Sequence, residues 1–161
     1  MRWKTCFVGD FVDEGLAEIQ TGPFGTQLKA SDYVSEGTPV INVRNIGFGD
    51  LRPDKIEFVG EETAERLSAH LLAPGDIVFG RKGAVDRHLF VQTDHDRWMQ
   101  GSDCMRLRFL TDQVQARFVS YAFLRKDHQQ WMLAQSGNKA TMASLNQDII
   151  RRIPLAVPPP D

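Results

Sequence analysis

Short apolar runs separated by glycine and proline turns occupy the first two thirds of the chain. Runs of roughly 4–8 residues that alternate with polar residues, or stay apolar throughout, predict β-strands. We therefore predict strands at Ala17–Gln20, Thr38–Val43, Lys55–Val59, Asp76–Gly80, His88–Gln92 and Cys104–Leu110. The run at Asp76–Gly80 does not alternate, which predicts a strand buried on both faces.

Helical spacing of apolar residues becomes common in the last third of the chain. We predict helices at Glu61–Leu72, from Asp112 onward, at Gln129–Ala134 after a break near Lys126, and after Ser144. Gln115 and Gln147 complete capping boxes with Asp112 and Ser144. An apolar strand with a proline stop follows. The order predicts an α+β fold: a twisted mixed or antiparallel sheet with helices concentrated in the C-terminal third.

Length and charge narrow the classes of function. The 161 residues suit one domain, 1–161, and the net charge of −2 argues against binding nucleic acid over the whole surface. The net charge still allows nucleic acid to bind at one local positive face, because basic residues gather after residue 80. No apolar run is long enough to span a membrane and no signal peptide is seen, so we expect a cytoplasmic protein. Cys6 and Cys104 are expected to be free thiols.

Motifs for catalysis are missing from the sequence. No acidic residue is followed two positions later by lysine, as in many restriction nucleases, and Pro158–Pro160 lack the flanking residues of an adenine methyltransferase motif. No phosphate-binding Gly-x-x-x-x-Gly-Lys loop is present. Asp94-His95-Asp96 has no further metal ligand nearby and is expected to be a polar loop tip. We predict a binding module with no catalytic residue, metal or cofactor.

Five segments carry short motifs in a characteristic order. They are Thr21–Gly25 with Asp32-Tyr33; Gly37–Ile41 with Arg44–Ile46; Leu72–Val78 with Arg81–Gly83; Gly101–Arg108; and Ser136–Met142 with Leu145-Asn146. Together they resemble the target recognition domain of a DNA specificity subunit from a type I restriction–modification enzyme. The similarity covers nearly the whole chain. The family usually has glycine where Val85 or Asp86 stands, so the turn after Gly83 is expected to differ.

The resemblance implies sequence-specific binding of double-stranded DNA, which directs the methyltransferase (modification) and restriction subunits. It implies one half-module without the spacer helices and second recognition domain, so a second half-module or a second copy is a further expected partner. Two alternatives stay open: a recognition domain detached from a fused methyltransferase or nuclease, and an interaction module of a defence system that does not bind DNA.

Polar residues at strand exits and on glycine-containing loops are the candidate DNA contacts. Arg81 and Lys82 leave a buried strand and suit phosphate binding, with a solvated turn as the alternative. Arg44 and Asn45 follow another strand and could pair with guanine and adenine, or cap the loop instead. The full set of candidates is Lys29, Arg44, Asn45, Arg81, Lys82, Arg87, His88, Asn138, Lys139 and Thr141.

The remaining candidates follow from their neighbours in the sequence. Asn138, Lys139 and Thr141 lie near a predicted helix start, where anions are favoured. Arg87 and His88 follow the turn at Gly83 and could enter a groove, and Lys29 is a further phosphate candidate. Phe24, in contrast, is expected to anchor the core.

Overall fold

The computed structural model describes residues 3–137 and 144–158. The strands in this part of the chain are β1 Lys4–Phe7, β2 Ala17–Thr21, β3 Tyr33–Val34, β4 Thr38–Ile41, β5 Phe48–Gly49, β6 Glu57–Val59, β7 Ile77–Gly80, β8 His88–Phe90, β9 Met99–Gln100, β10 Cys104–Phe109 and β11 Pro154–Val157. The helices are α1 Val8–Asp13, α2 Glu61–Arg66, α3 Ala116–Ala122, α4 Lys126–Ser136 and α5 Gln147–Arg151. Short 3-10 turns lie at Ala30–Asp32, Val43–Asn45, Ser68–His70 and Thr93–His95.

These strands form three sheets. The largest has five strands in the order β2-β10-β7-β8-β5, antiparallel except for the parallel pair β5–β8. A four-stranded sheet has the order β3-β6-β4-β9, with β4 and β9 parallel. Strands β1 and β11 form an antiparallel ribbon. The α+β class and mixed pairing expected from the sequence are confirmed, although the strands divide among three sheets.

The central strand β7 joins two hydrophobic clusters. Ile77 and Phe79 pack into a cluster with the helices, whereas Val78 packs into a second cluster with Ile41 and Leu89. Successive side chains of a strand point to opposite faces, so a strand covered on both faces needs apolar residues at every position. All four residues of β7 are buried, which confirms the prediction for this run.

Several element boundaries differ from the predicted ones. The predicted helix at 61–72 ends after Arg66 and continues as a 3-10 turn, because the backbone at Leu67 leaves helical geometry. Helix α3 begins at Ala116, four residues after the predicted cap at Asp112. Helix α4 begins at Lys126, where a break was expected.

The cap of the last helix and five short elements were also not predicted correctly. Asn146, not Ser144, caps α5: its Oδ1 accepts a 2.9 Å hydrogen bond from the Ile149 N–H. The short elements β1, α1, β3, β5 and β9 were missed. The first two lie against the C-terminal part of the chain, through the β1–β11 pairing and a hydrogen bond from the Val8 N–H to the Ile153 carbonyl.

Both cysteines are free thiols, as predicted. Cys104 is fully buried, its Sγ lies 3.2 Å from the Ile41 carbonyl as a donor, and burial raises the pKa of the thiol to about 12. Across residues 3–137 and 144–158, no helix has the length and apolar character needed to cross a bilayer.

Candidate nucleic-acid interface

One end of the five-stranded sheet gathers segments that are far apart in sequence. The register pairs Met105 with Thr21, Cys104 with Gly80, and His88 with both Phe79 and Phe48. The same end of the sheet therefore carries the following segments, which we call the motif end: Thr21–Gly25 after β2, Phe48 at the start of β5, Arg81–Arg87 between β7 and β8, and Gly101–Asp103 before β10. Three of them belong to the motifs that carry the family resemblance.

Two glycines allow these segments to approach closely. The Gly22 N–H donates to the Cys104 carbonyl at 2.9 Å, and a Cβ on Gly22 would lie only 2.0 Å from the Gly101 oxygen. A Cβ on Gly101 would in turn lie 2.6 Å from the Ile41 oxygen. No side chain fits at either position, so glycine is required where the two motifs cross.

The Arg81-Lys82 turn is held through its backbone. The Arg81 N–H donates to the Asp103 carbonyl at 2.6 Å, and the Leu145 N–H donates to the Arg81 carbonyl at 2.7 Å. Lys82 forms an antiparallel bridge with Ser144. The backbone supplies these bonds, so they do not depend on the Arg81 and Lys82 side chains. Lys82 is exposed and Arg81 is half-buried, and neither forms an ion pair within the described ranges.

Three predicted contacts, Asn138, Lys139 and Thr141, lie outside the described residues. The residues on either side of these three lie close to the Arg81-Lys82 turn. The Ser144 N–H donates to the Ser136 carbonyl at 3.1 Å, and Ser144 pairs with Lys82. The described residues that flank the second segment, Ser136 and Ser144, thus lie next to the Arg81-Lys82 turn.

The side chains of Arg44 and Asn45 both hold the following loop through hydrogen bonds. Asn45 is fully buried; its Nδ2 donates to the carbonyls of Arg52 and Asp54 at 3.0 and 2.9 Å, and its Oδ1 accepts from the Asn42 N–H at 3.0 Å. No hydrogen-bonding atom of this amide is left for a base, which corrects its predicted role. These contacts agree with the alternative prediction, in which Asn45 caps the loop.

The Arg44 guanidinium is engaged in the same way. It donates to the carbonyls of Asp54 and Lys55 at 3.2 and 2.6 Å and pairs with Glu57 at 3.0 Å. Its side chain is 39% exposed, so it is accessible, but a DNA contact would have to replace these bonds.

His88 is also corrected, because its imidazole is buried. The side chain is 2% exposed, its Nε2 lies 2.8 Å from the Ser120 Oγ, and desolvation lowers the pKa of His88 to about 4. The preceding Arg87 is at the surface of the motif end, half-buried, with no ion pair in the described part of the chain.

Lys29 is exposed but belongs to a different part of the molecule. It precedes the Ala30–Asp32 turn beside the four-stranded sheet, and its N–H donates to the Asp32 carboxylate at 2.8 Å. No described contact joins it to the motif end.

Many of the basic residues in the second half of the sequence neutralise buried or nearby acids. Arg106, 3% exposed, pairs with Glu18 at 2.8 Å, and Arg108 binds Asp76 through two hydrogen bonds of 2.7 and 2.8 Å. Hydrogen bonding to Asp76 raises the pKa of Arg108. Arg125, Arg151 and Arg152 also form ion pairs, with Asp127, Asp13 and Asp148 respectively. The positive charge available for a ligand is therefore smaller than the sequence suggests, and Arg81, Lys82 and Arg87 at the motif end are among the cations without an ion pair in the described ranges.

Two exposed aromatic residues at the motif end were not predicted. Phe24 is 57% exposed, which corrects the expectation that it anchors the core. Phe48 is 45% exposed, and the guanidinium groups of Arg52 and Arg87 lie over its ring at 5.8 and 5.9 Å from the centroid. The glycines on either side of Phe48 are the one sequence feature that indicates a tight turn at this residue.

The motif end is not uniformly positive. Asp50 and Asp103 are exposed and Asp86 is half-buried. Among the described residues, no group of three or more histidine, cysteine or acidic side chains is placed to hold a metal. His95 of the Asp94–Asp96 stretch accepts a hydrogen bond from the Gln92 N–H at 3.2 Å and belongs to the 3-10 turn.

Solved structures of type I restriction–modification components share this fold. One is a chain of the type I R-M system solved to explain its complex assembly and conformational transition (TM-score 0.66, 16% identity, covering 98% of this chain and 34% of that chain). A second is the type I restriction–modification S subunit from M. genitalium (TM-score 0.62, 14% identity, covering 97% of this chain and 35% of that chain). A third is the HsdS subunit from Thermoanaerobacter tengcongensis (TM-score 0.62, 18% identity, covering 98% of this chain and 33% of that chain).

The chain thus spans about a third of the length of each of these structures. At such identities the likeness concerns the fold, and at that level the resemblance expected from the sequence is confirmed. No protein-family model matches the chain, and no curated protein does.

Proposed function

We propose that this protein is a sequence-specific DNA-binding module that presents the motif end to double-stranded DNA. The observation that carries the proposal is the convergence of the resemblance motifs at one end of one sheet, together with the cations Arg81, Lys82 and Arg87. Motifs repeated among domains that bind different sequences suit shared tasks, such as holding phosphates. The turn at Arg81-Lys82 fits that task because its backbone is fixed from both sides.

The dimensions of the motif end suit a duplex. From β2 to β5 there are four inter-strand spacings, or about 19 Å. That width is enough to contact a major groove of roughly 12 Å and phosphates beside it. Because the whole chain carries a net charge of −2, binding depends on this local surface and not on the average charge.

We further propose that the module has no catalytic activity and directs enzymes carried by other chains. The solved structures with this fold include S subunits of type I restriction–modification systems. The partners would then be a methyltransferase subunit, a restriction subunit, and a second half-module or second copy of this chain. The protein would then bind DNA in the cytoplasm.

Binding of the purified protein to duplex DNA tests this proposal. Selection from a random duplex pool at about 50 mM salt, followed by sequencing, is expected to return a preferred site. Arg81→Ala and Lys82→Ala should each weaken binding to selected and random duplexes alike. Each should flatten the plot of log K against log salt by roughly one unit, because each removes one phosphate contact.

Lys4→Ala provides the matched control. Lys4 is an exposed lysine with no ion pair in the described ranges, but it lies on β1, which leads into α1 at the opposite end of the five-stranded sheet. Its replacement should leave affinity and salt slope unchanged. Equal losses in Lys4→Ala and Lys82→Ala would mean that the motif end is not the interface, and failure to enrich any duplex would reject the proposal.

A further inference from the structure

The residues at 42–54 form a rigid tip that presents Phe48 to solvent. The segment folds back on itself: Ile46 pairs with Leu51, and the Gly47 N–H donates to the Asp50 carbonyl at 2.9 Å. Gly49 adopts a φ of +84°, which side chains rarely tolerate. The buried side chains of Asn45 and Ile46 anchor the base of this tip.

Asn45 also fixes the position of Arg52. Its Nδ2 donates to the Arg52 carbonyl at 3.0 Å, and the Arg52 N–H donates to the Asn45 carbonyl at 2.8 Å. Arg52 is therefore held by its backbone while its exposed guanidinium lies over the Phe48 ring. Arg87 reaches the same ring from the β7–β8 loop, because β5 and β8 are paired neighbours.

This aromatic–arginine cluster is exposed to solvent and accessible to a ligand. Phe48 keeps 45% of its surface in water, although neighbouring Ile46 is fully buried. Neither arginine forms an ion pair in the described part of the chain; the nearby acid is Asp50. A planar guanidinium held over a ring has lost part of its freedom before binding, so less entropy is lost on forming two parallel hydrogen bonds.

We propose that Phe48, Arg52 and Arg87 form the base-contacting cluster of the interface: the two guanidiniums bind guanine edges in the major groove, and the Phe48 ring packs against a thymine methyl group. Arginine to guanine O6 and N7, and apolar groups to the thymine methyl, are the pairings that base-edge chemistry favours. The inference rests on the proposed DNA binding and separates base contacts at the edge strand from phosphate contacts at Arg81 and Lys82.

Chemically altered duplexes test the cluster directly. In the selected site, each thymine is replaced in turn by deoxyuridine, and each guanine by 7-deazaguanine. Loss of one buried methyl group should weaken the wild-type protein about fourfold at one position. Phe48→Ala should show the same loss on the unaltered duplex and no further loss at that deoxyuridine. Arg52→Ala or Arg87→Ala should lose roughly 5- to 100-fold and become insensitive to one 7-deazaguanine.

Two further variants separate base contact from simple charge. Arg52→Lys keeps the charge but not the two-pronged geometry, so it should remain as defective as Arg52→Ala on the selected site. Leu110→Ala is the control: Leu110 is 54% exposed and directly follows β10, at the end of the five-stranded sheet opposite the motif end. It should bind like the wild type. Thermal denaturation verifies that each variant is folded.

The outcomes distinguish this inference from the proposed function. A wild-type protein that enriches no duplex rejects both. A protein that selects a site but is unaffected by Phe48→Ala, Arg52→Ala and Arg87→Ala overturns the cluster alone. Restoration by Arg52→Lys, with equal losses on random and selected DNA, would also overturn it, because the arginines would then be holding phosphates.

Discussion

Asn45 is expected to matter for folding, since its side chain is buried with three hydrogen bonds. Replacing it with alanine removes one donor from each of two carbonyls and leaves the Asn42 N–H without its acceptor. We expect Asn45→Ala to lower the free energy of unfolding by about 2 to 3 kcal/mol, measured by urea denaturation. Asn146→Ala removes a single helix-capping bond and should cost only about 1 kcal/mol. Equal costs would argue against this assignment for Asn45.

One buried and one half-buried histidine, His88 and His128, should make stability depend on pH. Burial lowers the pKa of His88 and of His128 to about 4, and the rings pack against Phe123 at 5.8 and 4.1 Å between centroids. Their ordinary pKa is 6.5, so the unfolded chain binds more protons between pH 6.5 and 4, and stability falls as the pH drops through this window. We expect a loss of roughly 1–2 kcal/mol per histidine from pH 7 to pH 5.

Replacing each histidine in turn tests whether these two residues cause the pH dependence of stability. His88→Gln and His128→Gln should each reduce the difference between unfolding free energies at pH 7 and pH 5 by about half, whatever their cost at pH 7. Wild-type stability that does not change between these pH values would show that the rings are not desolvated as described.

At single residues, the sequence identified polar side chains at strand ends but not which way they face. Arg81 and Asn45 both follow strands in the sequence, yet one is held by its backbone and the other by its side chain. That difference arises from tertiary partners such as Asp103 and Arg52, which lie on other segments. Phe24 and Phe48 were missed because hydrophobicity alone predicts burial.

Among elements, the crossing of the Gly22 and Gly101 segments fixes the shape of the motif end. We expect Gly22→Ala to lower the free energy of unfolding by at least about 2 kcal/mol, because the new Cβ would meet backbone oxygens that cannot move cheaply. Gly60→Ala is the control: no atom lies within 4 Å of its Cβ position and its φ is −73°. It should change stability by less than about 1 kcal/mol. Urea denaturation of both variants compares them, and a tolerated Gly22→Ala would contradict the close approach.

Elements with a strong local pattern were predictable, and those stabilised by distant segments were not. The apolar run of β7 and the strand β10 follow from alternation and burial. Strand β5 has two residues and exists because β8 lies beside it. Strand β1 likewise depends on β11, at the other end of the sequence, so no local pattern indicates it.

For the whole molecule, the fold class and the ordered motifs were accessible from the sequence, whereas the meeting of those motifs was not. Their convergence depends on strand order β2-β10-β7-β8-β5, which places sequence neighbours β2 and β3 in different sheets. The distribution of charge is similarly a property of the fold. Eight ion pairs among the described residues engage seven arginines, and Arg81, Lys82 and Arg87 at the motif end are among the cations that these pairs leave free.

The small size of the interface predicts weak DNA binding by a single copy of this chain. This chain spans about a third of the structures that share its fold, and its motif end offers only a few free cations, so we expect weak binding to a single duplex site. Two copies joined by a flexible linker should bind a duplex carrying two sites about 10²- to 10⁴-fold more tightly, because the second contact becomes intramolecular. Fluorescence anisotropy over a range of site spacings measures this gain.

The same linked protein with Arg81→Ala and Lys82→Ala in one copy should lose most of the gain while keeping the affinity of a single module. A duplex with one site destroyed should give the same result. Nanomolar binding of a single site by the unlinked chain at physiological salt would contradict the prediction, because it would mean that one motif end supplies enough contacts without a second module.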